Sequence, residues 1–206
     1  MKILIFLLIF CINTFVITVI TVITDAFILG FPCRCREKEP MKKQYLLAVP
    51  NRIDFQRSTE CSGFSAAHVL RSFGVEADGN EMYEKMPGKL RNGAVLPKNL
   101  KKILQDAGFK VRYCKGNLDK LKGAISESKR VIAFVKTRKD KHWLHYVHIV
   151  GYDEDSIYIA DSLRELTNCK EEHYNRRLSY AEFLELWDTR EVYMPFYKNT
   201  FLIIER

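Results

Sequence analysis

The sequence lacks the features that identify several common classes of protein. Its six cysteines are scattered through 206 residues, so they form no disulfide framework and do not by themselves require an oxidising compartment. No second pair of ligands follows Cys33 and Cys35, which excludes a zinc finger or ribbon. There is no internal repeat, no low-complexity tract and no basic stripe with interleaved aromatic residues. The net charge of +8 therefore indicates a solvated basic surface, and we expect no nucleic-acid partner.

The first 31 residues differ in composition from the rest of the chain. Residues 3–23 are almost wholly apolar and uncharged, which is long enough for a helix across a bilayer. Apolar character continues beyond them and no Ala-x-Ala pattern follows, so we expect residues 1–31 to be an uncleaved transmembrane anchor, with a cleaved secretory signal as the alternative. Cys33 and Cys35 just beyond it are interpreted as free thiols, although acylation is possible there.

Residues 32–44 are rich in charge and contain two prolines, which is typical of a linker. Their positive charges place the following domain on the cytoplasmic side by the positive-inside rule. If the apolar segment acts as an export signal, the domain is extracellular instead.

Residues 45–206 have the pattern of one α+β domain. Apolar periodicity predicts helices over 61–73, 81–86, 97–107, 118–126 and 180–187. Alternating or continuous apolar runs predict strands over 45–49, 109–113, 131–135, 143–152, 156–160 and 200–204. Ser58, Thr59 and Glu60 offer capping groups for the first helix. Because helices come first and strands dominate later, we expect N-terminal helices packed on a mostly antiparallel sheet.

Three residue types of a thiol-dependent site occur at suitable places in these elements. Cys61 opens the first helix, where unpaired N–H groups and partial positive charge favour a thiolate. A histidine on strand 143–152 could transfer protons, and Asp161, which closes the next strand, could hold its imidazole in one tautomer. The Cys61 N–H and the side chain of Gln56 are candidate oxyanion donors. Each residue alone is usually structural, but together they indicate nucleophilic catalysis.

The histidine of this site has more than one candidate. His142 precedes the strand and is expected in a loop. Side chains alternate along a strand, so His145 and His148 lie on opposite faces and only one of them can face Cys61. Alternation does not say which one. It does argue against a zinc site built from the three histidines, because opposite faces do not converge on one metal.

These segments resemble the papain-like cysteine peptidases that cut double-glycine leader peptides from bacteriocins. The resemblance covers residues 47–162 and rests on Gln56, on Glu60-Cys61 at the helix start, on the His145–Tyr152 strand and on the strand that Asp161 ends. It implies Cys61 as nucleophile, His145 as general base and acid, Asp161 as orienting group and Gln56 as oxyanion donor. It implies neither a metal nor an organic cofactor.

The chain departs from that pattern at four positions. Ser62 follows Cys61 where glycine is expected, Gln56 lies one position nearer to the cysteine, and His148 stands where valine is usual. Ser162 follows Asp161 where the related peptidases often have proline. The segment beyond it is a carboxy-terminal extension with no assigned role.

The sequence thus predicts a membrane-anchored, bacterial-type cysteine peptidase that acts on a peptide or protein through a thioester acyl-enzyme. Two alternatives use the same residues: a catalytically inactive peptide-binding module, suggested by the shifted Gln56, and an acyl or amide transferase. The cleavage specificity and the oligomeric state are left open.

Overall fold

The computed structural model describes residues 41–140, 143–189 and 197–206. In chain order the elements are β1 (Tyr45–Leu46), α1 (Cys61–Ser72), α2 (Gly79–Glu84), α3 (Pro97–Asp106), β2 (Lys110–Lys115), α4 (Leu118–Ser126), β3 (Arg130–Lys136), β4 (Leu144–Tyr152), β5 (Ser156–Ala160), a 3₁₀ turn (Arg164–Leu166), β6 (Arg176–Ser179), α5 (Tyr180–Trp187) and β7 (Thr200–Glu205).

The strands form one antiparallel sheet in the order β2-β7-β3-β4-β5-β6, and β1 pairs with β4 outside that order. The β4–β5 hairpin has a register shift between Ile149 and Gly151. The prediction of an α+β fold with helices on an antiparallel sheet is confirmed.

Both faces of the sheet are covered by helices. On β3, Ile132 and Phe134 face the core beneath α1, α2 and α3. Val131, Ala133 and Val135 face the core beneath α4 and α5. Burial on both faces explains why this strand reads as an unbroken apolar run instead of an alternating one.

The start of α1 differs from the prediction in one respect. The helix begins at Cys61 as expected, but the Glu60 side chain makes no capping hydrogen bond to it. The Glu60 carboxylate instead accepts from the Ser58 N–H at 2.7 Å. Of the three capping candidates, Ser58, Thr59 and Glu60, the residue at the N-cap is Glu60, and its carboxylate closes the preceding turn instead of capping the helix.

Some predicted features lie outside the described residues. They are the anchor over 1–31, most of the linker over 32–44, Cys33, Cys35 and His142. Within the described ranges, no helix combines the length and apolar character that crossing a membrane requires.

Candidate active site

Cys61 is the first residue of α1 and lies where a buried helix reaches the surface. Its side chain is partly exposed, whereas every following residue of the helix, Ser62–Ser72, is buried. Packing of α1 against the sheet therefore fixes the helix and leaves the thiol at its accessible, electropositive end. This is the environment that a nucleophilic cysteine needs.

His145 connects this thiol to a buried carboxylate. It is the second residue of β4 and is almost completely buried. Its Nε2 lies 2.7 Å from Oδ1 of Asp161, and the ring is near enough to the Cys61 side chain for that group to raise the pKa of His145. Because Nε2 is taken by the carboxylate, Nδ1 is the ring nitrogen left for the sulfur.

The surroundings of His145 stabilise its charged form. Burial alone would lower the pKa of His145. The charge of Asp161, its hydrogen bond and the Cys61 side chain outweigh burial and raise the pKa of His145 to about 10. The imidazole beside Cys61 is thus an imidazolium at neutral pH.

Asp161 is held by more groups than the sequence indicated. Its fully buried carboxylate accepts from His145 and from the Leu163 N–H at 2.9 Å through Oδ1, and from Nη1 of Arg176 at 2.8 Å through Oδ2. Burial raises the pKa of Asp161, but the charge and hydrogen bond of His145, the charge of Arg176 and the Leu163 N–H together lower it to about 2. The carboxylate is therefore ionised at any ordinary pH.

Gln56 is tied to the residue that follows Asp161. Its backbone N–H donates to the Ser162 carbonyl at 2.9 Å, and its Oε1 accepts from the Ser162 hydroxyl at 2.6 Å. Its Nε2 donates to the Ser58 carbonyl at 2.5 Å, which uses one of the two amide hydrogens. Ser162 thus fixes which way the amide points and leaves one N–H of Gln56 for another acceptor.

His148 faces a different partner. Its Nδ1 lies 2.7 Å from Nδ1 of His68 in α1, and both side chains are buried. Burial, followed by the charge of Arg71, lowers the pKa of His68 to about 3. Burial, His68 and Arg130 lower the pKa of His148 well below its usual value. His148 therefore belongs to a neutral pair in the core beneath α1.

No cluster of potential metal ligands accompanies this site. Among the described residues, no three His, Cys, Asp or Glu side chains gather as a metal site would require. The three cysteines within those ranges, Cys61, Cys114 and Cys169, are free thiols. The groups at the site are those of thiol and acid–base chemistry.

Asn175 and Arg176, two residues that hold Asp161, were missed by the sequence analysis. Both contact Asp161 and lie beyond Ser162, in the segment that had no assigned role in the sequence, where β6 itself was not predicted. The available signal was weak: Arg176 and Leu178 are the buried positions of β6, alternating with exposed Arg177 and Ser179. A buried arginine breaks the apolar alternation by which strands are recognised.

A thiol at a helix start with a buried histidine and carboxylate near it is the arrangement expected of a papain-like cysteine peptidase, a hydrolase. The family model of the peptidase C39 family matches residues 51–195, and the chain belongs to this family. The resemblance noted in the sequence is thereby confirmed. No curated protein sequence matches the chain.

Solved structures share the fold at low sequence identity. A C39-like peptidase from Bacillus anthracis has a TM-score of 0.60 and 14% identity, covering 80% of this chain and 98% of its own. Xylellain, a cysteine protease from Xylella fastidiosa, has a TM-score of 0.55 and 13% identity, covering 82% and 87%. A double glycine motif protease from an AMS/PCAT transporter, in complex with its leader peptide, has a TM-score of 0.52 and 17% identity, covering 79% and 98%.

Proposed function

We propose that this peptidase cleaves its substrate through Cys61, His145 and Asp161. The Cys61 thiolate attacks the scissile carbonyl, and the His145 imidazolium gives its proton to the leaving amine, which leaves a thioester. The neutral His145 then takes a proton from water, and the resulting hydroxide adds to the thioester carbonyl. The C–S bond breaks, so the acid product leaves and the Cys61 thiolate and His145 imidazolium are restored. The observation that carries the proposal is the 2.7 Å hydrogen bond between His145 and Asp161. The Cys61 side chain acts on the same imidazole and raises its pKa.

We propose the Cys61 N–H and Gln56 Nε2 as the donors to the oxyanion. The N–H belongs to the first turn of α1, which the Glu60 side chain does not cap. The amide of Gln56 is oriented by Ser162 and has one hydrogen uncommitted to Ser58. Two oriented donors of this kind are what a tetrahedral intermediate requires. The shift of Gln56 by one position therefore does not require an inactive module.

The substrate is proposed to be a peptide with a double-glycine leader. This proposal is supported by membership of the family and by the fold shared with a double glycine motif protease that holds a leader peptide. We further propose that residues 1–31 anchor the enzyme in a membrane, with residues 41–206 on the cytoplasmic side. The apolar, uncharged residues 3–23 and the positive charges after them support this arrangement.

The pH dependence of iodoacetamide labelling tests the thiolate–imidazolium pair. In the full chain in detergent, Cys61 should label quickly below pH 7, and His145→Ala should abolish this fast reaction. Cys169 is an internal control, because burial, followed by the charge of Glu171, raises the pKa of its thiol. It should label slowly in both proteins. If the labelling rate of Cys61 instead depends on pH as that of an ordinary thiol does, and His145→Ala does not change it, the peptide-binding module is favoured.

Hydrolysis of a double-glycine leader peptide tests turnover with the same proteins. Cys61→Ala should remove cleavage, and full activity in that variant would refute the mechanism. Gln56→Ala should lower kcat by about 10²-fold or more while leaving the labelling of Cys61 unchanged. A product that depends on an added amine would indicate transfer to that amine instead of hydrolysis.

A further inference from the structure

Two neighbouring arginines on β6 have opposite environments. Arg176 is 5% exposed, and its Nη1 donates to Oδ2 of Asp161 at 2.8 Å. Arg177 points to the surface, where its Nη2 donates to Oδ2 of Asp153 at 2.6 Å. A buried arginine is uncommon without a charged partner, and the partner here is the carboxylate that holds His145.

The residue before Arg176 holds the backbone of the same aspartate. Oδ1 of Asn175 accepts from the Asp161 N–H at 2.8 Å, and Nδ2 of Asn175 donates to the Asp161 carbonyl at 2.8 Å. The Asn175 N–H in turn donates to the Ile159 carbonyl at 3.1 Å. Consecutive residues at the start of β6 therefore fix both the main chain and the side chain of Asp161.

The four charged groups of the site alternate in sign along a chain of contacts. They run from the Arg176 guanidinium through the Asp161 carboxylate and the His145 imidazolium to the proposed Cys61 thiolate, and their charges sum to zero. A buried charge that loses its partner is costly. When His145 gives its proton to the leaving amine, Asp161 loses one of its two cationic partners. Arg176 is then the cation that keeps this buried carboxylate ionised and able to accept from His145.

We propose that Arg176 is a positioning residue of the active site, which keeps Asp161 ionised and oriented through the proton cycle of His145, and that Asn175 assists it. The proposal rests on the proposed function and adds to it that the start of β6, which follows Asp161 in the chain, supports the catalytic residues. Arg176 acts through Asp161 and is not placed in contact with the substrate.

Charge and shape at position 176 can be separated by two substitutions in the full chain. Arg176→Gln removes the charge and keeps a donor, whereas Arg176→Lys keeps the charge and loses the planar guanidinium. On the leader peptide, kcat of Arg176→Gln should fall by about 10- to 100-fold, as for other groups that orient a catalytic side chain, with little change in KM. As the pH is lowered, Arg176→Gln should also lose activity at a higher pH than the wild type does, because Asp161 binds a proton more readily without the nearby cation. Arg176→Lys should lose less kcat and keep the acid limb of the wild type.

A spectroscopic measurement makes the test independent of turnover. The proton between Nε2 of His145 and Oδ1 of Asp161 should give a low-field imidazole resonance in the ¹H NMR spectrum. It should move or disappear in Arg176→Gln and move less in Arg176→Lys. If the wild type hydrolyses no peptide, the proposed function fails, while this resonance still reports on the positioning of Asp161.

The matched control is Arg177→Gln, on the exposed face of the same strand, which should keep wild-type kcat, pH profile and resonance. Wild-type values of all three in Arg176→Gln would overturn the proposal. A loss of kcat in Arg176→Gln at every pH, with an unmoved acid limb and resonance, would also overturn it and indicate only a structural role. If Arg176→Gln does not fold, Arg176→Lys is the second test. It keeps the charge, so an acid limb moved to higher pH in this variant would contradict the proposal.

Discussion

Two histidines on β4, three residues apart, have opposite charge states. His145 lies against the carboxylate of Asp161, which overcomes burial and raises the pKa of His145 to about 10. His148 lies against the imidazole of His68, with Arg71 and Arg130 as the charged groups that act on the pair. Burial is similar for His145 and His148, so the partner decides which ring is charged at neutral pH.

The neutral His68–His148 pair should make the fold sensitive to acid. The pKa of His68 is about 3 in the folded chain and near 6.5 when unfolded, so the unfolded chain takes up the proton first as the pH falls. The stability that the neutral pair provides is complete above pH 6.5 and is lost as the pH falls toward 3. In urea unfolding, the double variant His68→Leu/His148→Leu should therefore lose less stability between pH 7 and pH 5 than the wild type, by about 2 kcal/mol per histidine.

Urea unfolding of the wild type and the double variant at pH 7 and at pH 5 gives the four free energies that this comparison needs. The same loss between pH 7 and pH 5 in the wild type and in the double variant would contradict the prediction.

Strand alternation correctly predicts that the side chains of His145 and His148 lie on opposite faces of β4. It does not indicate which of the two lies near Cys61. The choice depends on partners that the chain brings from elsewhere: Asp161 from the end of β5 for one ring, and His68 from α1 for the other. In the sequence His68 is one of several polar residues in α1, and nothing local marks it as the partner of a strand histidine. Pairing of two buried imidazoles is a tertiary contact that no local pattern shows.

At the scale of elements, α1 approaches α2 so closely that one helix position has no room for a side chain. A Cβ on Gly63 would lie 2.6 Å from the backbone nitrogen of Tyr83 and closer still to the carbonyl of Gly79. Gly63 is two residues from Cys61. The packing that fixes the start of α1, and with it the thiol, therefore depends on this glycine.

Gly63→Ala should destabilise the protein although alanine is the better helix former. The clash is with backbone atoms of α2 and cannot be relieved by a rotamer change, so we expect a loss of about 1–3 kcal/mol in the free energy of unfolding. The matched control is Gly123→Ala in α4, where the added Cβ meets nothing within 4 Å. That variant should gain up to about 1 kcal/mol. Urea unfolding of both variants measures the difference, and equal stabilisation of both would refute it.

Elements with strong local signals were predictable, whereas β6 was not. Pro97 marks the first turn of α3, and the capping box of Ser179 and Glu182 marks the start of α5. The strand Arg176–Ser179 has four residues, of which two are arginines and only one is apolar. Its place in the sheet comes from pairing with β5 and from the ion pair of Arg176 with Asp161, so propensity and periodicity could not indicate it.

At the scale of the described fold, the last strand of the chain lies inside the sheet, next to the edge strand β2. β7 lies between β2 and β3, with Ile204 opposite Val111 on one side and Leu202 opposite Ile132 on the other. The strand itself was predictable from its apolar run, but strand order is set by long-range pairing. The candidate site likewise takes its groups from α1, β4 and the ends of β5 and β6, which only the assembled sheet brings together.

Anchoring of the whole molecule is tested by separating residues 1–40 from the rest. If residues 1–31 span the membrane, the full chain should stay in the membrane pellet after alkaline carbonate extraction. A fragment of residues 41–206 should be in the supernatant and still show fast labelling of Cys61. In spheroplasts, the full chain should resist added protease until the membrane is opened, because the positive charges after residue 31 favour a cytoplasmic domain. Release of the full chain by carbonate would contradict the anchor. Digestion of the domain in intact spheroplasts would show that it lies on the extracellular side.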